Sequence, residues 1–158
     1  MALGSFMLMA GKVAKTKDEA EKMLKATITD GSALKKFADF VEAQGGDPEF
    51  VYNTEKFAKA KFTDPVASPV TGYVESIKAD EIGICSLVLG GGRETKESTI
   101  DLSVGLILNK KLGDKVDAGE VIATLYTDKK YELSEAEERF LKAYTISENR
   151  VEPGPVIL

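Results

Sequence analysis

The chain has 158 residues, 43% of them hydrophobic and 30% charged, with a net charge of −5. This is the composition of an ordinary soluble protein of one domain, or one domain with an appendage, and the negative balance excludes general nucleic-acid affinity, which needs a basic surface. Histidine is absent and Cys85 is the only cysteine; no intrachain disulfide and no Ser-His-Asp or Cys-His triad can be built, and a reducing, cytoplasmic setting is expected.

The first ten residues, "MALGSFMLMA", are apolar. They lack the basic region of a signal peptide and fall far short of the ~20 residues of a membrane span, so a core-facing helix and no membrane partner are expected. "TKDEAEKML" carries a capping box, in which Thr16 accepts from the amide of Glu19 and Glu19 reaches back to the amide of Thr16. Ala20, Met23, Leu24 and Ile28 then form one stripe at helical spacing, and Gly31 is placed to stop the helix. A second helix starts near Ser32 with Leu34, Phe37, Ala38 and Val41 on one face, and ends at Gly45 and Gly46. Asp47 and Pro48 restart a short helical turn.

After about Asn53 the character changes. "AKFTDPVASPVTGYVESIKA" places Pro65, Pro69 and Gly72 among short β-prone runs, and the alternation from Val70 to Lys78 suits a strand with one irregular face. "DEIGICSLVLGGG" reads as a short helix capped by Asp80 and ended by Gly90, Gly91 and Gly92. "IDLSVGLILN" and "EVIATLYT" are strand-like, separated by turn signals at Gly113-Asp114 and Ala118-Gly119. "SEAEERFLKAYTI" has a second capping box, Ser134 with Glu137, ahead of an amphipathic helix, and the tail "VEPGPVIL" suits an edge strand. The organisation is α+β: a helical segment over 1–55, small for an independent core, then a mixed domain over 56–158.

The stretch "LGGGRETKESTID" is the strongest candidate for chemistry. A Walker-type phosphate loop needs Gly-Lys-Ser/Thr, whereas Glu97 separates Lys96 from Ser98; a dinucleotide fingerprint needs spaced glycines after a strand, whereas these are consecutive and follow a helix. The stretch reads as a helix C-terminus and turn, with Arg93 and Lys96 open to an anion or an interdomain contact. The acidic pairs at Asp80-Glu81 and over 135–138 sit at expected helix N-termini, where negative charge is favoured, and no carboxylate set converges on a metal. Cys85 reads as a small buried hydrophobe, and Tyr126 and Tyr131 as packing residues.

"ASPVTGYVESI" and "LGDKVDAGEVIATL" resemble the framing segments of biotinyl and lipoyl carrier domains, which implies a barrel-sandwich-like antiparallel β core. In a carrier module, Lys96 would be the modified lysine. Against that alternative, the insert over 77–112 is long, and no methionine flanks Lys96.

Taken together, "ALGSFMLMAGK", "GSALKKFADFVEAQGGD", "GYVESIKADEIG" and "LGGGRETKESTIDLSVGLILNKKLGDKVDAGEVIATLYT" resemble the C-terminal part of the pyrimidine-nucleoside phosphorylase and thymidine phosphorylase family. The resemblance implies that 1–55 are the helical end of a larger central α/β domain and 56–158 the C-terminal α+β domain. It implies phosphorolysis of a pyrimidine nucleoside to the base and a pentose 1-phosphate, with phosphate as co-substrate, no cofactor and a homodimeric whole enzyme. The family's phosphate- and base-binding residues lie upstream of the matching segments, so no catalytic or substrate-binding residue carries over. The N-terminal remainder becomes the expected partner, and the chain alone is expected to be inactive. For Gly90, Gly91, Gly92, Arg93 and Lys96 the resemblance implies a mobile loop at the cleft.

Overall fold

The computed structural model describes residues 1–93 and 95–154. It divides into two compact units, Met1–Phe57 and Ala58–Leu158.

The first unit is helical, with α1 over Ala2–Ala10, α2 over Lys17–Thr29, α3 over Ser32–Ala43, α4 over Glu49–Tyr52 and a 3-10 turn over Thr54–Lys56. Thr16 accepts from the Glu19 amide at 3.2 Å, as expected, but the Glu19 carboxylate accepts from the amide of Lys15 at 2.8 Å rather than from that of Thr16. Gly31 takes a positive φ of 78° immediately before α3, so the left-handed turn between the two helices is made by a residue without Cβ repulsion. Asp47 Oδ1 accepts from the Glu49 amide at 2.9 Å, which satisfies one donor at the start of α4.

This unit buries almost nothing large. Its buried residues are Ser5, Ala14, Ala20 and Ala38. Helix α1 forms, but within its unit it does not face a core: Leu3 is 67% and Met7 74% exposed, and Phe6 is exposed with them. The reason is compositional. The helix is apolar nearly all round, and α2 covers only one stripe of it, where Gly4 lets Leu24 approach so closely that a Cβ would stand 2.9 Å from Leu24 Cδ1. Helices α3 and α4 frame an open apolar groove of about 400 Å³ lined by Leu34, Phe37, Val41, Phe50, Val51 and Phe57, among others.

The second unit is α+β. In order it has β1 Phe62–Ala67, β2 Gly72–Ile77, α5 Ala79–Ser86, a widened turn Leu87–Gly91, β3 Gly105–Leu108, β4 Lys115–Val116, β5 Val121–Thr127, α6 Glu132–Ala143 and β6 Tyr144–Ser147. Two antiparallel three-stranded sheets form, ordered β1-β5-β3 and β4-β2-β6. One core joins them: Val66, Ile122 and Leu125 from the first, Val74, Val116 and Tyr144 from the second, with Cys85, Leu89 and Phe140 from the helical side. The irregular face of β2 has a cause, a bulge between Val74 and Ser76 in its pairing with β6.

Several boundaries differ from expectation. Helix α5 is preceded by Lys78, and Asp80 lies inside its first turn with no capping bond. Helix α6 starts at Glu132, so Ser134 is a helical residue and no second capping box forms; the Glu132 carboxylate reaches the Thr127 hydroxyl and Lys129 instead. That helix ends at Ala143, because Tyr144–Ser147 pairs with β2 and the sheet overrides helical continuation. Of the stretch 100–108 only Gly105–Leu108 is a strand; before it, Leu102 is 93% exposed and Asp101 closes a turn on Ser103. No strand forms over 151–154, and the remainder of the tail lies outside the described residues.

Tyr144 ties α6 to the sheets. Its ring stacks on Phe140 with centroids 4.5 Å apart, and its hydroxyl donates to the Lys110 carbonyl at 2.9 Å. Burial, with the charge of Asp114 second, pushes its phenol from 10.0 up to about 12. The folded state therefore holds this proton more tightly than the unfolded chain. The associated stability is complete below about pH 10 and is lost as pH rises toward about 12. Tyr144→Phe is expected to cost about 1 kcal/mol at neutral pH and to flatten the decline between those two values. Urea melts of both proteins across that range check it; parallel declines would contradict it.

Candidate functional site

The glycine turn is built from its backbone outward. Helix α5 runs into the widened turn, where Gly90 reverses the chain at φ +97°. The next two glycines answer a different need. A Cβ on Gly91 would stand 2.8 Å from Ser86 Oγ, and one on Gly92 2.7 Å from Leu87 Cδ1, so the chain leaves the helix by doubling back against its last residues. The Gly90 carbonyl accepts from the Asp101 amide at 3.2 Å, which closes the neck of the excursion. On the far side, Asp101 Oδ1 accepts from the amide and hydroxyl of Ser103 at 2.9 and 2.7 Å. Between them, Thr95 and Ser98 close a tight turn, with the Ser98 amide on the Thr95 carbonyl at 3.2 Å and the Thr95 amide on Ser98 Oγ at 3.0 Å.

Of the five candidate residues, Gly90 lines a cleft beside the turn. That cleft, about 330 Å³, is bounded by Leu89, Gly90, Thr99, Asp101, Thr127, Asp128, Lys129 and Glu132. Its charged lining is three carboxylates and one lysine, the wrong balance for cradling phosphate. Asp128 is moreover already engaged: the Lys61 ammonium, 2.7 Å away, and the Lys61 amide lower its pKa below the ordinary carboxylate range. Arg93 and Lys96 are exposed and do not line the cleft. Lys96 stands within the 95–98 turn, and its described neighbours at Gly92, Arg93, Thr99 and Ile100 are not in strands, so it is not the tip of a paired hairpin that a carrier lysine would occupy. Among the described residues no group of three or more His, Cys, Asp or Glu is arranged to hold a metal.

Of the other chemically active side chains Cys85 packs in the core, whereas Tyr131, expected to pack, is 77% exposed on the connection before α6. Cys85 is fully buried with its thiol toward the Ala136 carbonyl at 3.5 Å, and burial raises its pKa above 9.0, away from thiolate reactivity. Tyr126 lies on the outer face of the first sheet opposite Gly105, in an open groove of about 540 Å³ that Thr63, Ser103 and Ile107 also line.

Residues that sequence reasoning missed lie behind the turn. Thr127, at the end of β5, is fully buried, and its hydroxyl is 3.3 Å from the Leu89 carbonyl and 2.8 Å from Glu132 Oε2. No local motif announces this, because 38 residues separate Thr127 from Leu89.

The sequence that forms these strands, turn and helix is similar to that of known proteins. Residues 73–147 match the family model described as Pyrimidine nucleoside phosphorylase C-terminal domain. The chain belongs to the pyrimidine-nucleoside phosphorylase family and carries its C-terminal domain. It is similar to the pyrimidine-nucleoside phosphorylase of Bacillus subtilis (strain 168), at 45% identity over 129 residues, which are 82% of this chain and 30% of that protein. To the Geobacillus stearothermophilus protein of the same name it is 39% identical over 157 residues, 99% of this chain and 36% of that one. It therefore spans about a third of the length of the curated relatives it matches. The segment that matches the phosphorylase C-terminal domain runs from β2 to the end of β6, with the glycine turn inside it.

The geometry separates the turn's backbone role from its charges. Gly90→Ala places a Cβ at φ +97° and is expected to destabilise the second unit by about 1–2 kcal/mol. Arg93→Ala and Lys96→Ala should each change stability by less than about 0.5 kcal/mol. Equilibrium urea unfolding decides it, and a neutral Gly90→Ala would contradict the assignment.

Proposed function

We propose that this chain is the C-terminal part of a pyrimidine-nucleoside phosphorylase, an enzyme that uses phosphate to split a pyrimidine nucleoside into base and pentose 1-phosphate. On this reading residues 1–55 are the helical end of a central α/β domain and 56–158 the C-terminal α+β domain. The observation that carries it is the match of the C-terminal domain in a chain that spans only about a third of phosphorylases it otherwise follows.

The chemistry explains why such a part would be inactive alone. Displacement at the anomeric carbon passes through an oxocarbenium-like state, and catalysis consists of preorganised cations that hold phosphate and stabilise the departing base. The cleft beside Gly90 is acidic in balance. The phosphate- and base-binding groups would come from the N-terminal remainder, in a cytoplasmic and homodimeric whole enzyme that needs no cofactor. The apolar surface of the first unit, Leu3, Phe6 and Met7 on α1 with Leu34 and Phe37 on α3, supports a partner of that kind, since 57 residues that bury no large side chain need another surface to cover them. Gly90, Gly91, Gly92, Arg93 and Lys96 would then form a mobile loop beside the cleft, with Arg93 and Lys96 as its exposed cations.

The test is phosphorolysis of uridine and thymidine by the purified chain, alone and after mixing with the N-terminal portion of a pyrimidine-nucleoside phosphorylase. No release of base by the chain alone and release by the mixture is the expected result. Turnover by the chain alone would overturn the proposal.

A further inference from the structure

Behind the glycine turn, Leu89 is packed in the core and its carbonyl faces a buried hydroxyl. Leu89 lies in the last turn of the helical run, where carbonyls lack the regular donors of a continuing helix. Thr127 Oγ1 approaches the Leu89 carbonyl at 3.3 Å, approaches Glu132 Oε2 at 2.8 Å, and accepts from the Lys129 amide at 3.0 Å. A threonine hydroxyl has one proton to give. Two acceptors therefore face one donor. The nearer is a carboxylate whose side chain is only 12% exposed and which is paired with Lys129 Nζ at 3.1 Å.

We propose that Thr127 is the positioning residue of the glycine turn, and that Glu132 sets how firmly it holds by competing with the Leu89 carbonyl for the one hydroxyl proton. Leu89 immediately precedes Gly90, whose carbonyl closes the neck of the excursion on the Asp101 amide. Anchoring at Leu89 is thereby transmitted to the neck through one peptide unit. The charged acceptor takes the larger share of the proton, because charge-assisted bonds are the stronger. The two partners of Thr127 consequently have opposite effects. Loss of the hydroxyl frees the turn, whereas loss of the Glu132 carboxylate gives the proton wholly to Leu89 and tightens it.

Amide hydrogen exchange on the full 158-residue chain, read at Asp101, Gly91 and Gly92, tests this. Thr127→Val is expected to accelerate exchange at these amides about threefold, less than a full hydrogen bond is worth, because the Leu89 carbonyl holds only the smaller share of the proton. Thr127→Ser keeps the hydroxyl and should leave exchange within about twofold of the parent. Glu132→Ala is expected to slow exchange at the Asp101 amide while β5 is unchanged. Unaltered exchange at Asp101 in Thr127→Val would overturn the proposal. So would acceleration in Glu132→Ala, which would make the carboxylate a brace rather than a competitor. The readout involves neither nucleoside nor phosphate, so its outcome is independent of the phosphorolysis result.

Discussion

Strand β5 is the constraint on which the second unit depends. It pairs with β1 on one side and β3 on the other, and it buries Ile122, Ala123 and Leu125 in the core shared by both sheets. Its last residue, Thr127, brings a buried hydroxyl to the start of the glycine turn. Both chemically suggestive features, the turn and the small acidic cleft beside it, thus derive their positions from one strand. Helix α6 follows four residues after β5 and closes the core with Phe140. Its first residue, Glu132, supplies the second acceptor for Thr127.

The first unit obeys the opposite rule. Its helices have good local signals, a capped start at Thr16 and a left-handed glycine at Gly31, yet its buried residues are three alanines and a serine. Helix capping is worth about 1 kcal/mol, whereas fully burying a Leu or Phe contributes about 1.5–3 kcal/mol each. Local signals fix the helices, and little large apolar burial fixes their arrangement. The same residues that are exposed here lie in a segment that follows a phosphorylase three times as long at 39% identity. The reading of this unit as an interface within a larger enzyme rests on that pair of facts.

Much of the architecture was legible because it is written locally. The two glycines at 31 and 45, the strand "EVIATLYT" and the chain reversal at Gly90 all follow from backbone preferences within a few residues. What was not legible depends on partners distant in sequence. "AYTI" continues a helical pattern, but β2 is available to pair with it, and the chain becomes strand at Tyr144. Ser134-Glu137 has the letters of a capping box, yet the helix starts two residues earlier, where Glu132 finds Thr127 and Lys129. At the candidate site the glycines were found as a consecutive run after a helical pattern. Thr127 was not, because a buried threonine in a strand has no signature until the fold places a carbonyl beside it.

The central claim is that the first unit is completed by a surface from the rest of the enzyme, while the second stands on its own core. The direct measurement is residue-resolved amide exchange across the whole chain, alone and with the N-terminal portion of a pyrimidine-nucleoside phosphorylase added. The account predicts rapid exchange in α1 and α3 beside slow exchange in β5 for the chain alone, and protection gained in α1 and α3 on addition. Helices α1 and α3 as well protected as β5 in the chain alone, and unchanged by the added portion, would contradict it.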